Sequence, residues 1–139
     1  MKPLKEVTKT DAIAELLDLQ EDLAKYGRCM SEHGSCAYVQ DDHPGCAIGR
    51  RLDEDEKAYI LEKGAHVNES TNVEALGLEG CMPRYFENWN MNLLKILQEV
   101  HDAYNPENMR YIGMLRKYFK YVENEELNHK PGEMDHDYR

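Results

Sequence analysis

No stretch of this chain approaches the roughly 18 consecutive apolar residues that cross a bilayer. The opening Met1-Lys2-Pro3-Leu4-Lys5-Glu6 lacks the apolar centre of a secretion signal. No membrane partner is therefore expected, and the cytoplasm is the expected compartment. Nucleophile elbows, P-loops, dinucleotide fingerprints and carboxylate–metal motifs are also missing, so catalysis is not expected. Positive charge is short: 17 basic residues face 27 acidic ones, for a net charge of -10. That field repels phosphates on average and disfavours duplex nucleic acid. The deficit is uneven, with net -2 over residues 1 to 52 and net -8 over 53 to 139. Phenylalanine is scarce, with two copies against nine tyrosines and one tryptophan. The aromatic surface therefore carries polar ends that can stack on a base or sit half-buried in a core.

What is present describes one globular unit. The 139 residues fit a single domain, and 41% hydrophobic with 32% charged residues is a folding composition. Residues 1 to 9 are polar and expected to fray. Thr8 and Asp11 are spaced as a capping pair, and Ile13, Leu16, Leu17, Leu23 and Ala24 follow at helical spacing, so a helix is expected over 10 to 26, stopped by Gly27. Cys36-Ala37-Tyr38-Val39 and Cys46-Ala47-Ile48-Gly49 flank an Asp-, Pro- and Gly-rich connection, which predicts a short β-hairpin. Asp53-Glu54-Asp55-Glu56 is an acidic first turn of a second helix ending at Gly64. Residues 65 to 88 suggest an ordered loop with short helical or strand pieces. A third helix opens at Trp89, with Leu93, Leu94, Leu97, Val100 and His101 on one stripe. Asn105-Pro106 breaks it, with Asn105 as the expected cap of a fourth helix that carries Tyr111, Leu115, Tyr118 and Val122. The last two form an expected antiparallel pair. The class is thus α+β, mostly helical, with about four helices and one hairpin. The globular part is expected over 10 to 122, and 123 to 139 is an acidic, polar tail expected to be mobile.

Four groups of residues could carry chemistry. Gly49-Arg50-Arg51 joins a backbone open to close approach with two fork-shaped donors suited to phosphate or carboxylate. The competing role is ion pairing with Asp53 to Glu56. Cys29, His33, Cys36, His43 and Cys46 lie within 18 residues, and zinc takes four such ligands. They lack a Cys-x2-Cys knuckle, so buried structural thiols are the favoured assignment and no metal is assigned. His101 on the apolar stripe is either a satisfied core residue or, facing a cleft, a ligand contact, and Asp102 should point elsewhere on the helix. Arg110, Lys117 and Lys120 line one side of the fourth helix, either as a solvated face or as a basic strip toward a ligand.

Cys36-x-Tyr38, Cys46-Ala47-Ile48-Gly49 and Leu97-Gln98-x-x-His101-Asp102 together resemble a group of small proteins encoded by phages, prophages and some bacteria, over about residues 28 to 120. The group continues after the glycine with apolar residues and an Ile-Pro-Asp-like helix start. Here Arg50-Arg51-Leu52-Asp53 stands in that place. The resemblance implies an accessory protein that acts in the host cytoplasm against a defence system. Two activities follow. The first is non-enzymatic sequestration of a small anionic nucleotide-type signal by Gly49, Arg50, Arg51, Tyr38, His101, Arg110 and Lys117. The second is inhibition of a host protein through the acidic surface. A zinc-binding regulator is a third option, no cofactor is expected, and a homodimer is left open.

Overall fold

The computed structural model describes residues 6–29, 37–40, 43–64, 67–68 and 72–129. Five α-helices follow in order: α1 (Lys9–Tyr26), α2 (Glu54–Lys63), α3 (Val73–Leu78), α4 (Met91–Asp102) and α5 (Met109–Asn124). Local chemistry sets their ends. At α1 the Thr8 hydroxyl accepts from Asp11 N–H at 3.1 Å and the Asp11 carboxylate accepts from Thr8 N–H at 3.0 Å. Asp53 and Glu56 repeat this reciprocal cap at α2. Asn72, Asn90 and Asn108 cap α3, α4 and α5. Asn105 therefore does not cap the last helix; its side chain accepts from Glu107 N–H in the preceding turn. Gly27 and Gly64 end α1 and α2 at positive φ.

The core forms around α4, which is buried on most of its circumference: Leu93, Leu94, Leu97, Val100 and His101 are all sealed. It packs against α5, α3 and α1, and α4 with α5 makes the expected helix hairpin. Tyr118 of α5 is fully buried and its hydroxyl donates to the Ala12 carbonyl at 2.7 Å. Gln20 of α1 donates to the Tyr111 hydroxyl at 3.2 Å, and Lys9 meets Glu123 at 3.6 Å, so α1 and α5 run antiparallel. Beyond α5, Leu127 is buried and the Asn128 side chain accepts from Val7 and Asn88. The globular unit thus extends past residue 122 on this side. Residues 1–5 and 130–139, where frayed ends were expected, lie outside the described residues.

The expected β-hairpin is not formed. The described residues contain no strand, only isolated bridges, one of them between Gln40 and His43. Residues 46 to 48 turn into a 3-10 turn over Gly49–Arg51. The reason is local satisfaction. The Asn68 carboxamide oxygen accepts from Tyr38 N–H and Val39 N–H, both at 2.8 Å, and its amide donates to the Val39 carbonyl at 2.9 Å. One side chain thereby does the work of a pairing strand. The chain at Tyr38 also lies directly on Gly49: a Cβ there would fall inside the Tyr38 carbonyl. The class is therefore all-helical among the described residues, with five helices.

These contacts give two substitutions of opposite sign. Gly49→Ala should lower unfolding free energy by about 3 kcal/mol or more, because backbone cannot yield as a side chain can. Gly113→Ala on the open face of α5, with nothing within 4 Å of the new methyl, should raise it by about 1 kcal/mol through helix propensity. Urea unfolding of the two variants measures both.

Candidate functional site

Glu15, Asp18 and Asp22 recur at i, i+3 and i+7 and so share one flank of α1. Opposite them the 3-10 turn presents Arg50 and Arg51. The Arg50 guanidinium donates to Glu15 Oε2 at 2.6 Å, Asp18 Oδ2 at 2.7 Å and Asp22 Oδ2 at 3.0 Å. Arg51 grips the same glutamate from the other side, Nε to Oε2 at 2.9 Å and Nη2 to Oε1 at 2.8 Å, and reaches Asp18 at 2.8 Å. The Tyr85 hydroxyl donates to Glu15 Oε1 at 2.8 Å, and the Arg51 guanidinium lies 4.4 Å from the Tyr85 ring centroid. The side chains of Glu15 and Arg50 are 1% and 3% exposed, and that of Arg51 is 26% exposed. Charges this deeply placed hold only because each is paired and hydrogen-bonded.

The electrostatics follow. The hydrogen bond from Arg50 holds the Asp18 carboxyl below its ordinary value, against a smaller opposing effect of burial. Burial and the neighbouring Glu15 push the Tyr85 phenol up. Burial also pushes the Tyr118 phenol up.

The cluster forms one wall of a cleft of about 580 Å³ between α1, the segment before it and residues 84 to 89. Five carboxylates line it, from Glu6, Asp11, Glu15, Asp18 and Glu87. Two guanidiniums, of Arg51 and Arg84, reduce the lining to net -3. Arg51 is committed to Glu15, and Arg84 turns toward Asp53 at 3.7 Å. Trp89, the single tryptophan, borders the cleft and stacks edge-on against Phe86 at 5.2 Å.

The expected site residues are only partly brought together. Gly49, Arg50, Arg51 and the Tyr38 backbone meet. The Tyr38 side chain is buried, and the acids bound by the arginines are those of α1, not Asp53 to Glu56. Asp53 and Glu56 are instead used in the α2 cap, and Glu56 Oε2 accepts from Arg84 N–H at 2.8 Å. His101 is buried in the core. Its Nε2 accepts from Cys29 N–H at 2.9 Å, which fixes the proton on Nδ1, facing Asp102 Oδ1 at 3.0 Å. Asp102 thus folds back onto its neighbour, where helical spacing placed it elsewhere, and Gln98 also donates to it at 3.0 Å. The Leu-Gln-x-x-His-Asp motif is a clamp between α4 and the chain after α1. Arg110 is exposed at the start of α5, and Lys117 pairs with Glu99 at 3.1 Å. Neither has a contact with the arginine cluster.

Of the proposed metal ligands, His33 and Cys36 lie outside the described residues. His43 spends both ring nitrogens on backbone, accepting from Gly45 N–H at 3.0 Å and donating to the Gly27 carbonyl at 3.1 Å. The Cys46 sulfur accepts from Gly49 N–H at 3.4 Å, and the Cys29 thiol lies 3.5 Å from Gln40 Oε1. No group of three or more His, Cys, Asp or Glu among the described residues is placed to hold a metal ion. None of the described helices is long and apolar enough to cross a membrane.

Comparison with protein-family models, with curated proteins and with solved structures finds no match to this chain.

Removing one partner of the cluster should be severe. Glu15→Gln leaves one buried and one half-buried guanidinium short of charge and should cost about 3–5 kcal/mol, whereas exposed Glu62→Gln should change stability by less than about 0.5 kcal/mol. Asp18, whose folded pKa is depressed, contributes stability above its unfolded pKa that is lost as pH falls through the folded value. The deficit of Asp18→Asn relative to the parent should therefore be full at pH 7 and shrink on acidification below about pH 4, read from urea midpoints across pH.

Proposed function

We propose that this chain is a non-enzymatic interaction protein whose acidic cleft docks a basic segment of another protein, a host factor where the resemblance to phage proteins applies. One observation carries this: both arginines of the only adjacent Arg pair are occupied by carboxylates of α1, and the open cleft beside them is lined net negative. A Lys or Arg side chain entering that cleft meets the carboxylates of Glu6 and Glu87, with Tyr85 offering ring surface at the wall. Charge of this kind speeds encounter and selects partners by sign.

Capture of a small anionic nucleotide requires guanidinium groups open to solvent. Arg50 at 3% exposure does not offer one, and its three carboxylate partners would repel a phosphate. The burial of Arg50 gives sequestration of a nucleotide-type signal less support than docking on a basic partner.

The test uses the single tryptophan as reporter. An octamer of alternating Arg and Ser should shift Trp89 emission in low salt, with affinity falling as salt rises. The paired variant Glu6→Lys/Glu87→Lys, at exposed and half-exposed positions, should lose at least tenfold in affinity with unchanged circular dichroism. Heat on mixing with cyclic dinucleotides or ADP-ribose, and none with the basic peptide, would return the assignment to nucleotide capture.

A further inference from the structure

Cations are scarce in a molecule of net charge -10, and most of them are used. Among the described residues, every Lys and Arg outside α5 has a carboxylate, carbonyl or tyrosine partner. Three cationic side chains have none: Arg110, Arg116 and Lys120, all exposed and all on α5. Lys117 between them pairs with Glu99 of α4. The lone acid of the helix, Glu123, is turned to Lys9 of α1 at 3.6 Å. At about 3.6 residues per turn, the three open cations fall within about a third of the helix circumference, on the side opposite buried Tyr111, Tyr118 and Val122.

Gly113 stands at the middle of that arc, with nothing within 4 Å of where a Cβ would sit. A glycine inside a helix lowers its stability, and here no close neighbour requires one. What the bare backbone offers is close approach from outside. Beside the arc a recess of about 230 Å³ opens, lined by Ile96 of α4 and by Lys117, Lys120, Tyr121, Asn124 and Glu125. Ile96 and the Tyr121 ring give it apolar surface, bordered by the exposed Lys117 and Lys120.

We propose that this face docks an acidic helix of a partner protein. Its carboxylates meet Arg110, Arg116 and Lys120, and one apolar side chain enters the recess beside Lys117. Arg110 to Lys120 span about 15 Å along the axis at 1.5 Å per residue, and Gly113 lies where a crossing helix comes nearest. A phosphodiester chain brings no apolar side chain for the recess. Nucleic acid and anionic bilayers are also extended polyanions, which the net charge of the whole molecule repels. A short helix carries little more charge than the face neutralises. The face shares no residue with the lining of the acidic cleft, so it stands or falls independently of docking there.

Fluorescence anisotropy tests it. The probe is a labelled, alanine-based helix of about 16 residues with Glu along one face and a single central Leu. It should bind the full chain in low salt and weaken about tenfold as salt rises from about 0.01 to about 0.1 M, and the same helix with Gln for Glu should not bind. Arg116→Glu/Lys120→Glu should lose at least about tenfold in affinity with an unchanged circular dichroism spectrum, since both side chains are exposed and unpaired. Arg110→Gln, at the other end of the face, is the milder variant, with an expected loss of about threefold. Gly113→Leu should lose at least about tenfold in affinity while its urea midpoint rises, an opposition that a merely structural glycine would not produce. Absence of binding by the wild type overturns the proposal. Binding that survives the double glutamate variant or Gly113→Leu overturns it equally. Tighter binding to oligothymidylate or to phosphatidylserine vesicles than to the acidic helix overturns it and gives the face to those polyanions.

Discussion

The Glu15 carboxylate is the point on which the arrangement of this protein turns. It is held by two guanidiniums and a phenol and is removed from water. Through it, α1 is tied to the turn at Gly49–Arg51 and to the segment at Tyr85, three pieces of chain far apart in sequence. A hydrophobic cluster of the same volume would hold them as firmly or more so, because desolvating ions is expensive. What the ionic arrangement adds is direction. Bidentate arginine geometry allows one register between α1 and the turn, whereas apolar side chains would tolerate sliding.

The same constraint decides the surface. Once Arg50 and Arg51 are turned inward, the doubled arginine adds little positive charge to the surface. The cleft beside them is defined by carboxylates. Positive charge is kept instead on α5, on a different face. The molecule therefore has an acidic cleft on one flank of α1 and the exposed Leu17 side chain on another.

The helices were legible in the sequence because their determinants are local. Thr8 with Asp11, the apolar spacing of Leu16 and Leu23, and the stripe from Leu93 to Val100 need no distant partner to be recognised. The β-hairpin was misjudged because short apolar runs beside glycine carry no period that separates strand from turn. The deciding contacts were tertiary: the Asn68 side chain against Tyr38 and Val39, and the Tyr38 carbonyl on Gly49. The arginines were singled out, but their partners were sought among the nearest acids in sequence. Asp53 and Glu56 were already taken by the helix cap. The i, i+3, i+7 spacing of Glu15, Asp18 and Asp22 was the available signal, a row of carboxylates on one flank facing a doubled arginine. The cleft itself had no signal, since Glu6 and Glu87 meet only through the fold.

Asn128 joins Val7 across 121 positions of sequence and also holds Asn88. Closing so long a loop is entropically slow, and nothing local rewards it before the helices between are assembled. The clasp is therefore expected to form late in folding, after the rate-limiting barrier. Its strength is expressed in how long the native state survives rather than in how fast it is reached. The border of the acidic cleft, which Val7 and Asn88 share, is accordingly clasped by the Asn128 side chain from the far end of the chain.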